Sequence, residues 1–307
     1  MSATLASLSK LTEDEARSYL ESVLWPNGPV CGHCRSQNAR KLEGEAHRVG
    51  LFKCRDCRKQ FTVTVNTIFH RSHIPLRLWL MAFSILCSAK KGISALQLQR
   101  QLGLGSYQAA WHMAHRIRYA MSQEPLKGML QGQVEVDETY VGGKPRPMSG
   151  EVAKRGRGTK KVPVVALVER GGNVRAKPVK RVDGKTLKGA IRENVDRRSV
   201  ILTDEFAAYT GIGKEFKFGH VTVNHSQGEY ARGGAHTNTA ESYFSLLKRG
   251  VVGSFHHVSK EHLHRYVDEF SFRWNTRGVK DGERTVAALR GAEGKRLAYK
   301  KPLQTGD

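Results

Sequence analysis

The chain has 307 residues and a mass of 34.3 kDa, enough for one sizeable core and one or two smaller modules, since domains commonly run to roughly 100 to 150 residues. Its 51 Lys and Arg against 28 Asp and Glu give a formal charge of +23 and a pI near 10.1, which points to a polyanionic partner. The longest apolar run, Leu78 to Cys87, is 10 residues, short of the roughly 20 that a membrane-spanning helix needs, so it reads as a core helix and no membrane partner is expected.

Residues 1–25 lack the basic start and apolar stretch of a secretion signal, which predicts a cytoplasmic, nucleoid-associated protein. Thr12 followed by Glu15 predicts a capping box that opens an amphipathic helix. Residues 26–72 carry Cys31-Gly-His-Cys34 and Cys54-Arg-Asp-Cys57, with 19 residues between the pairs. That spacing suits a four-thiolate zinc ribbon with one structural Zn²⁺, closed to further ligands. His33 reads as a spectator, since four sulfurs complete a tetrahedron, and Cys87 as a core residue.

Residues 73–125 read as three helices: one after Pro75, one over 95–102, a break at Gly103-Leu104-Gly105, and one over 106–121. Helix, glycine turn, helix predicts a helix-turn-helix module whose last helix offers Gln108, His112, His115, Arg116 and Arg118 to the DNA major groove, while Trp111 and Ile117 face the core. Packing alone would leave a similar pattern, so DNA contact here is an expectation.

From residue 130 to 280 the pattern turns α/β. Strands are predicted over 133–141, 162–168, 174–182, 199–203 and 220–224, and helices over 186–195, 238–250 and 259–276, an order that suits a ribonuclease H-like core. Two glycine-rich loops interrupt it, 142–161 and 228–236. The first holds seven basic residues, among them Lys154, Arg155, Arg157, Lys160 and Lys161, which are candidates to contact phosphate. Residues 281–307 read as a C-terminal tail.

Three separated acids stand out together: Asp137 on the first strand of that core, Asp204 at the end of the fourth, and Glu241 in the first turn of the helix from 238. Each alone is ordinary, and Asn238 with Glu241 could be a simple capping box. Converging at one end of a sheet, they would be mutually repelling until metal resolved the repulsion. Phosphoryl transfer uses such hard oxygen ligands to hold two divalent cations, Mg²⁺ or Mn²⁺, about 3.5 to 4 Å apart. Lys248 lies seven positions after Glu241, two helical turns on and on the same face, where it could meet DNA or stand as a surface lysine.

Trp25 to Cys34, Val136 to Lys144, Asn238 to Gly250, His256 to Lys260 and Phe272 to Asn275 resemble, in order, the motifs of the zinc-ribbon group of DDE insertion-sequence transposases, over about residues 12 to 280. The resemblance implies a zinc ribbon and helix-turn-helix that find the element's terminal repeats, ahead of an integrase-like α/β core. Carried onto this chain, the two aspartates are Asp137 and Asp204, the third acid Glu241 and the downstream lysine Lys248. Relatives vary at the third position and some use an asparagine nearby, so Asn238 stays a rival to Glu241. The expected partners are double-stranded transposon-end and target DNA, with the protein a homodimer or higher oligomer on it. In the expected mechanism Asp137 bridges both ions, Asp204 and Glu241 each hold one, and Lys248 with loop 142–161 holds phosphates. A non-catalytic DNA-binding regulator would share the charge and is separated by metal-dependent nicking; a nuclease that cuts without joining is separated by a strand-transfer product.

Overall fold

The computed structural model describes residues 3–122, 128–143, 159–223 and 236–298, and these form two compact units. The first comprises residues 1–123 together with 278–307, and the second residues 124–277.

In the first unit, α1 (Leu5–Leu8) leads to α2 (Glu13–Leu24). The capping box forms as expected, with the Thr12 N–H donating to Glu15 Oε2 at 2.8 Å and the Glu15 N–H to Thr12 Oγ1 at 3.3 Å. A three-stranded antiparallel sheet follows, β1 (Ala39–Lys41), β2 (Phe52–Cys54) and β3 (Gln60–Phe61). It packs Phe52 and Phe61 against Trp25, with ring centroids 5.4 and 5.9 Å away. Then come α3 (Leu76–Ser88), α4 (Ala95–Leu102) and α5 (Tyr107–Met121). Cys87 is fully buried, as expected. Gly103 ends α4 at φ 63°, a left-handed conformation that glycine adopts without steric cost. The N-cap of α3 is Pro75, whose side chain has nothing to cap with, and Glu13 of α2 supplies the carboxylate instead, accepting from the N–H groups of Leu76 at 2.8 Å and Arg77 at 3.2 Å.

The second unit holds a five-stranded mixed sheet built from β4 (Gln133–Val141), β5 (Val162–Glu169), β6 (Val174–Pro178), β7 (Val200–Asp204) and β8 (His220–Val223). Its order is β6-β5-β4-β7-β8. β4, β5 and β6 form an antiparallel meander, and β7 and β8 run parallel to β4. α6 (Gly184–Asn194) covers one face, burying Leu187, Ala190 and Ile191 against Val134, Val136, Val165, Leu167 and Ile201. The other face, with Val164, Ala166 and Val168, is covered by α7 (Asn238–Gly250) and α8 (Leu263–Asn275). β4 and β5 thus split their side chains between two cores by simple alternation. Asn275, at the end of α8, extends the ladder of the edge strand β6: its Oδ1 accepts from the Val174 N–H at 2.7 Å and its Nδ2 donates to the Val174 carbonyl at 3.1 Å.

Two expectations are corrected. The predicted strand over 174–182 ends at Pro178. The segment read as a tail carries α9 (Asp281–Arg290) and belongs to the first unit, where it packs on α2, α3 and α5. Thr285, Ala288 and Leu289 form its buried face at i, i+3 and i+4, a stripe too short and too weakly apolar to stand out beside the polar residues around it.

Close approach also fixes how α7 meets α8. A Cβ added at Gly250 would fall 2.0 Å from Cζ of Phe270. Gly250→Ala is therefore expected to cost about 1 to 3 kcal/mol through overpacking, read as a lower midpoint in urea unfolding followed by circular dichroism; an unchanged midpoint would show that α8 moves aside freely.

Candidate active site and metal centre

Nine-residue β4 is central to its sheet and largely buried, yet its sequence is Gln-Val-Glu-Val-Asp-Glu-Thr-Tyr-Val. Alternation sends Glu135 and Asp137 to the α7 face and Glu138 to the α6 face. On the α6 face, the Tyr209 hydroxyl donates to Glu138 Oε2 at 2.9 Å. On the α7 face, Asp137 pairs across the ladder with Ala166, which lies in the core under α7.

The pairing of β4 with β7 ends at Glu135 opposite Leu202, and two residues further along each strand stand Asp137 and Asp204, on the same face. The backbone N–H of Phe206 donates to Asp204 Oδ1 at 3.1 Å, orienting that carboxylate where β7 ends. The backbone N–H of Glu138 donates to Asp137 Oδ1 at 2.7 Å. Despite this hydrogen bond the Asp137 carboxyl is pushed up to about 7, first by burial and then by the charges of Glu138, Asp204 and Glu241. Asp204 and Glu241 are thus both close enough to act on Asp137. The three acids are less tightly gathered than the four cysteines, which among the described residues are the group with every ligating atom within 4.8 Å of the others.

Glu241 is exposed in the first turn of α7, and Asn238 and Lys248 are exposed on the same side of that helix. The capping role expected of Asn238 is corrected. The N-cap is Thr237, which makes no side-chain cap hydrogen bond, and Asn238 is the first helical residue. Glu135 performs the cap from β4, accepting from the N–H groups of Thr239 at 2.8 Å and Ala240 at 3.0 Å. It is fully buried and was not singled out in the sequence: an acid on a strand looks like any solvated residue, and its partners lie 104 and 105 positions away.

In the first unit the four predicted thiols meet. Sγ of Cys31 lies 3.7 Å from that of Cys57, and Sγ of Cys34 lies 3.6 Å from that of Cys54. Tetrahedral zinc with bonds of about 2.3 Å requires an edge of about 3.8 Å, so the cluster fits the ion. The Cys54 thiol is lowered to about 7, chiefly by the backbone N–H of Cys57, with that of Asp56 adding to it. The ring of His33 is turned away to the Gln60 carbonyl, at 3.2 Å, in keeping with a spectator.

The candidate DNA-reading helix α5 differs from expectation. Gln108 is exposed at its start and His112 is half-buried, but His115 is 0% exposed and Arg118 is 2% exposed. Arg116 is half-buried, donating from Nε to the Leu297 carbonyl at 3.1 Å. Ile117 is buried as predicted, and Trp111 is half-buried against the His115 ring, with centroids 4.0 Å apart. α5 is packed by α3, α4 and also by the segment read as a tail: α9 lies on it, and Lys295 Nζ donates to the Tyr119 carbonyl at 3.0 Å near its C-terminal end. Of the basic loop, Lys160 is exposed and Lys161 half-buried, while Lys154, Arg155 and Arg157 lie outside the described residues, as does most of 228–236.

A family model described as the ISXO2-like transposase domain matches residues 129–275, and one described as the transposase zinc-ribbon domain matches residues 11–60. The chain belongs to this transposase family. The transposase-domain match runs from just before β4 to the last residue of α8, and the zinc-ribbon match takes in all four cysteines; α3, α4 and α5 fall between the two. An uncharacterized protein in transposable element ISH50 of Halobacterium salinarum is 29% identical over 274 residues, covering 86% of this chain and 91% of that protein. An uncharacterized transposase-like protein of Haemophilus influenzae is 30% identical over 102 residues, 33% of this chain and 80% of that protein. Among solved structures, the Mos1 transposase paired-end complex with left transposon end overlaps 68% of this chain and 73% of that one at 15% identity, with a TM-score of 0.28, too loose a superposition to bear on fold or mechanism. No helix among the described residues is long and apolar enough to cross a membrane.

Zinc analysis of this transposase purified without chelator should return one ion per chain. Cys34→Ser should lose the metal and the ribbon's fold while the second unit keeps its own unfolding transition; a zinc-free wild-type chain would overturn the assignment.

Proposed function

We propose that this transposase cuts and joins DNA at a site formed by Asp137, Asp204 and the exposed face of α7, within a ribonuclease H-like core. The reading is carried by one observation: two aspartates stand two residues beyond the last paired residues of adjacent parallel strands, on the face where the first turn of α7 packs, and Asp137 is perturbed by both Asp204 and Glu241. The meander followed by a helix and two parallel strands is the topology that such a core requires.

Hard carboxylate oxygens with unneutralised charge suit Mg²⁺ or Mn²⁺, and two such ions when bound supply the positive charge that phosphoryl transfer needs. Asp137 and Asp204 hold them from the sheet. Glu241 is the third ligand, supported by its electrostatic coupling to Asp137; Asn238 is one turn away on the same helix face and is no longer needed to explain the cap. The reaction class is hydrolysis of a phosphodiester at the element's end, followed by attack of the freed 3′-hydroxyl on a target phosphodiester. No covalent protein intermediate is involved, so the chain's task is to position groups and to hold charge. Lys248, two turns along α7 from Glu241, and loop 142–161 hold the DNA backbone.

The zinc ribbon and the α4–α5 pair serve as the end-recognition part, acting as a helix-turn-helix through the exposed first turn of α5, with Tyr107 and Gln108, rather than through its covered second half. His115 and Arg118 are withdrawn from the DNA-contacting set by their burial.

Asp137→Asn, Asp204→Asn and Glu241→Gln are each expected to abolish cleavage and strand transfer while leaving binding to the element's ends nearly intact. Glu138→Gln, on the opposite face of β4, should largely keep activity. A gel assay of both reactions in Mg²⁺ decides it; activity surviving in Asp137→Asn or Asp204→Asn would sink the proposal, and an active Glu241→Gln beside a dead Asn238→Ala would move the third ligand to Asn238.

A further inference from the structure

We infer that Glu135 is a positioning residue of the transposase site, its carboxylate locking the first turn of α7 to β4 so that Glu241 stands across from Asp137. The inference rests on the site proposed above. Glu135 and Asp137 are two residues apart on one strand and share a face. Glu135 is 0% exposed, and its carboxylate is met from two directions. From α7 come the backbone N–H of Thr239 at 2.8 Å, the Thr239 hydroxyl at 2.8 Å and the backbone N–H of Ala240 at 3.0 Å. From β5's end comes Arg170 Nε at 2.6 Å, and His236 Nδ1 stands 3.2 Å away.

The two N–H groups belong to the second and third residues of α7, which have no partner inside the helix and are ordinarily served by the N-cap side chain. An N-cap from the preceding loop would satisfy them without fixing the helix to anything else. A carboxylate on β4 satisfies them and ties the helix to the strand that bears Asp137. Arg170 completes the tie, reaching the Gln133 side-chain oxygen at 2.5 Å and the His236 carbonyl at 2.8 Å, so one guanidinium grips the start of β4 and the chain entering α7. Glu241 follows Ala240 directly. Its height and bearing relative to Asp137 are therefore set by Glu135.

Residues that orient metal ligands without touching the ion typically change metal affinity by about 10- to 100-fold when replaced. Glu135→Gln keeps the shape but leaves Arg170 without its charge partner, and Glu135→Asp keeps the charge but withdraws it by one methylene. In the full-length, zinc-loaded protein both are expected to raise the Mn²⁺ concentration for half-saturation, measured by electron paramagnetic resonance, by about 10- to 100-fold. In metal-free protein, hydrogen exchange at the amides of Thr239 and Ala240 should accelerate in the same variants. Thr239→Val, which leaves Glu135 in place and removes one donor, should show a smaller rise of the same sign and covers the case in which the Glu135 variants do not fold. A folded Glu135 variant with wild-type Mn²⁺ affinity overturns the inference, as does a loss of affinity with amide protection unchanged. A wild-type chain that binds Mn²⁺ but cuts no DNA would sink the proposed reaction and leave this inference standing on Mn²⁺ alone. Normal cutting with an unmoved Mn²⁺ midpoint in Glu135→Gln would do the reverse.

Discussion

Charge on a buried central strand must be compensated, and β4 carries three acids within four residues. Two of them are answered by the fold. Glu135 receives the first turn of α7 and the Arg170 guanidinium, and Glu138 receives the Tyr209 hydroxyl. Asp137 lies between them with the adjacent backbone N–H of Glu138 as its donor among the described residues, and with Asp204 and Glu241 pressing like charge upon it. Burial and like charge together push the Asp137 carboxyl up to about 7, and a bound cation, as proposed above, would offset both. The layered architecture follows the same alternation, with α6 on the Glu138 side and α7 with α8 on the Asp137 side.

The four thiols and the three acids are gathered in different ways. Four thiolates within 4.8 Å of one another form a closed set that leaves no coordination position for a substrate, and their contribution is to a small sheet with few apolar residues of its own. The carboxylate site is looser, built from distant segments, and partly exposed through α7. On the proposed reading, that openness suits a reaction on a polymer backbone.

What could be read from the amino-acid order were the features with a local signature. The cysteine spacing, the capping box at Thr12, the bounds of β4 and α7, and the glycine that ends α4 each depend on neighbours within a few positions, and each is found where expected. What could not be read was set by contacts remote in sequence. Glu135 meets α7 across more than a hundred residues, Glu13 caps α3 across 63, and Lys295 reaches α5 at Tyr119 across 176. The start of α7 shows the same limit. The local pattern suited a capping box, and the true cap came from another element. Of the site itself, the sequence held the acids and their order, while the device that brings α7 to them required the fold.

The most direct measurement of the central claim is anomalous diffraction from crystals of the transposase grown with Mn²⁺ and a short duplex. Manganese peaks are expected beside Asp137 and Asp204, with Glu241 at the same cluster, and are expected to vanish in Asp137→Asn. Manganese absent from the sheet end in the wild-type chain, or retained there without the Asp137 carboxylate, would contradict the account.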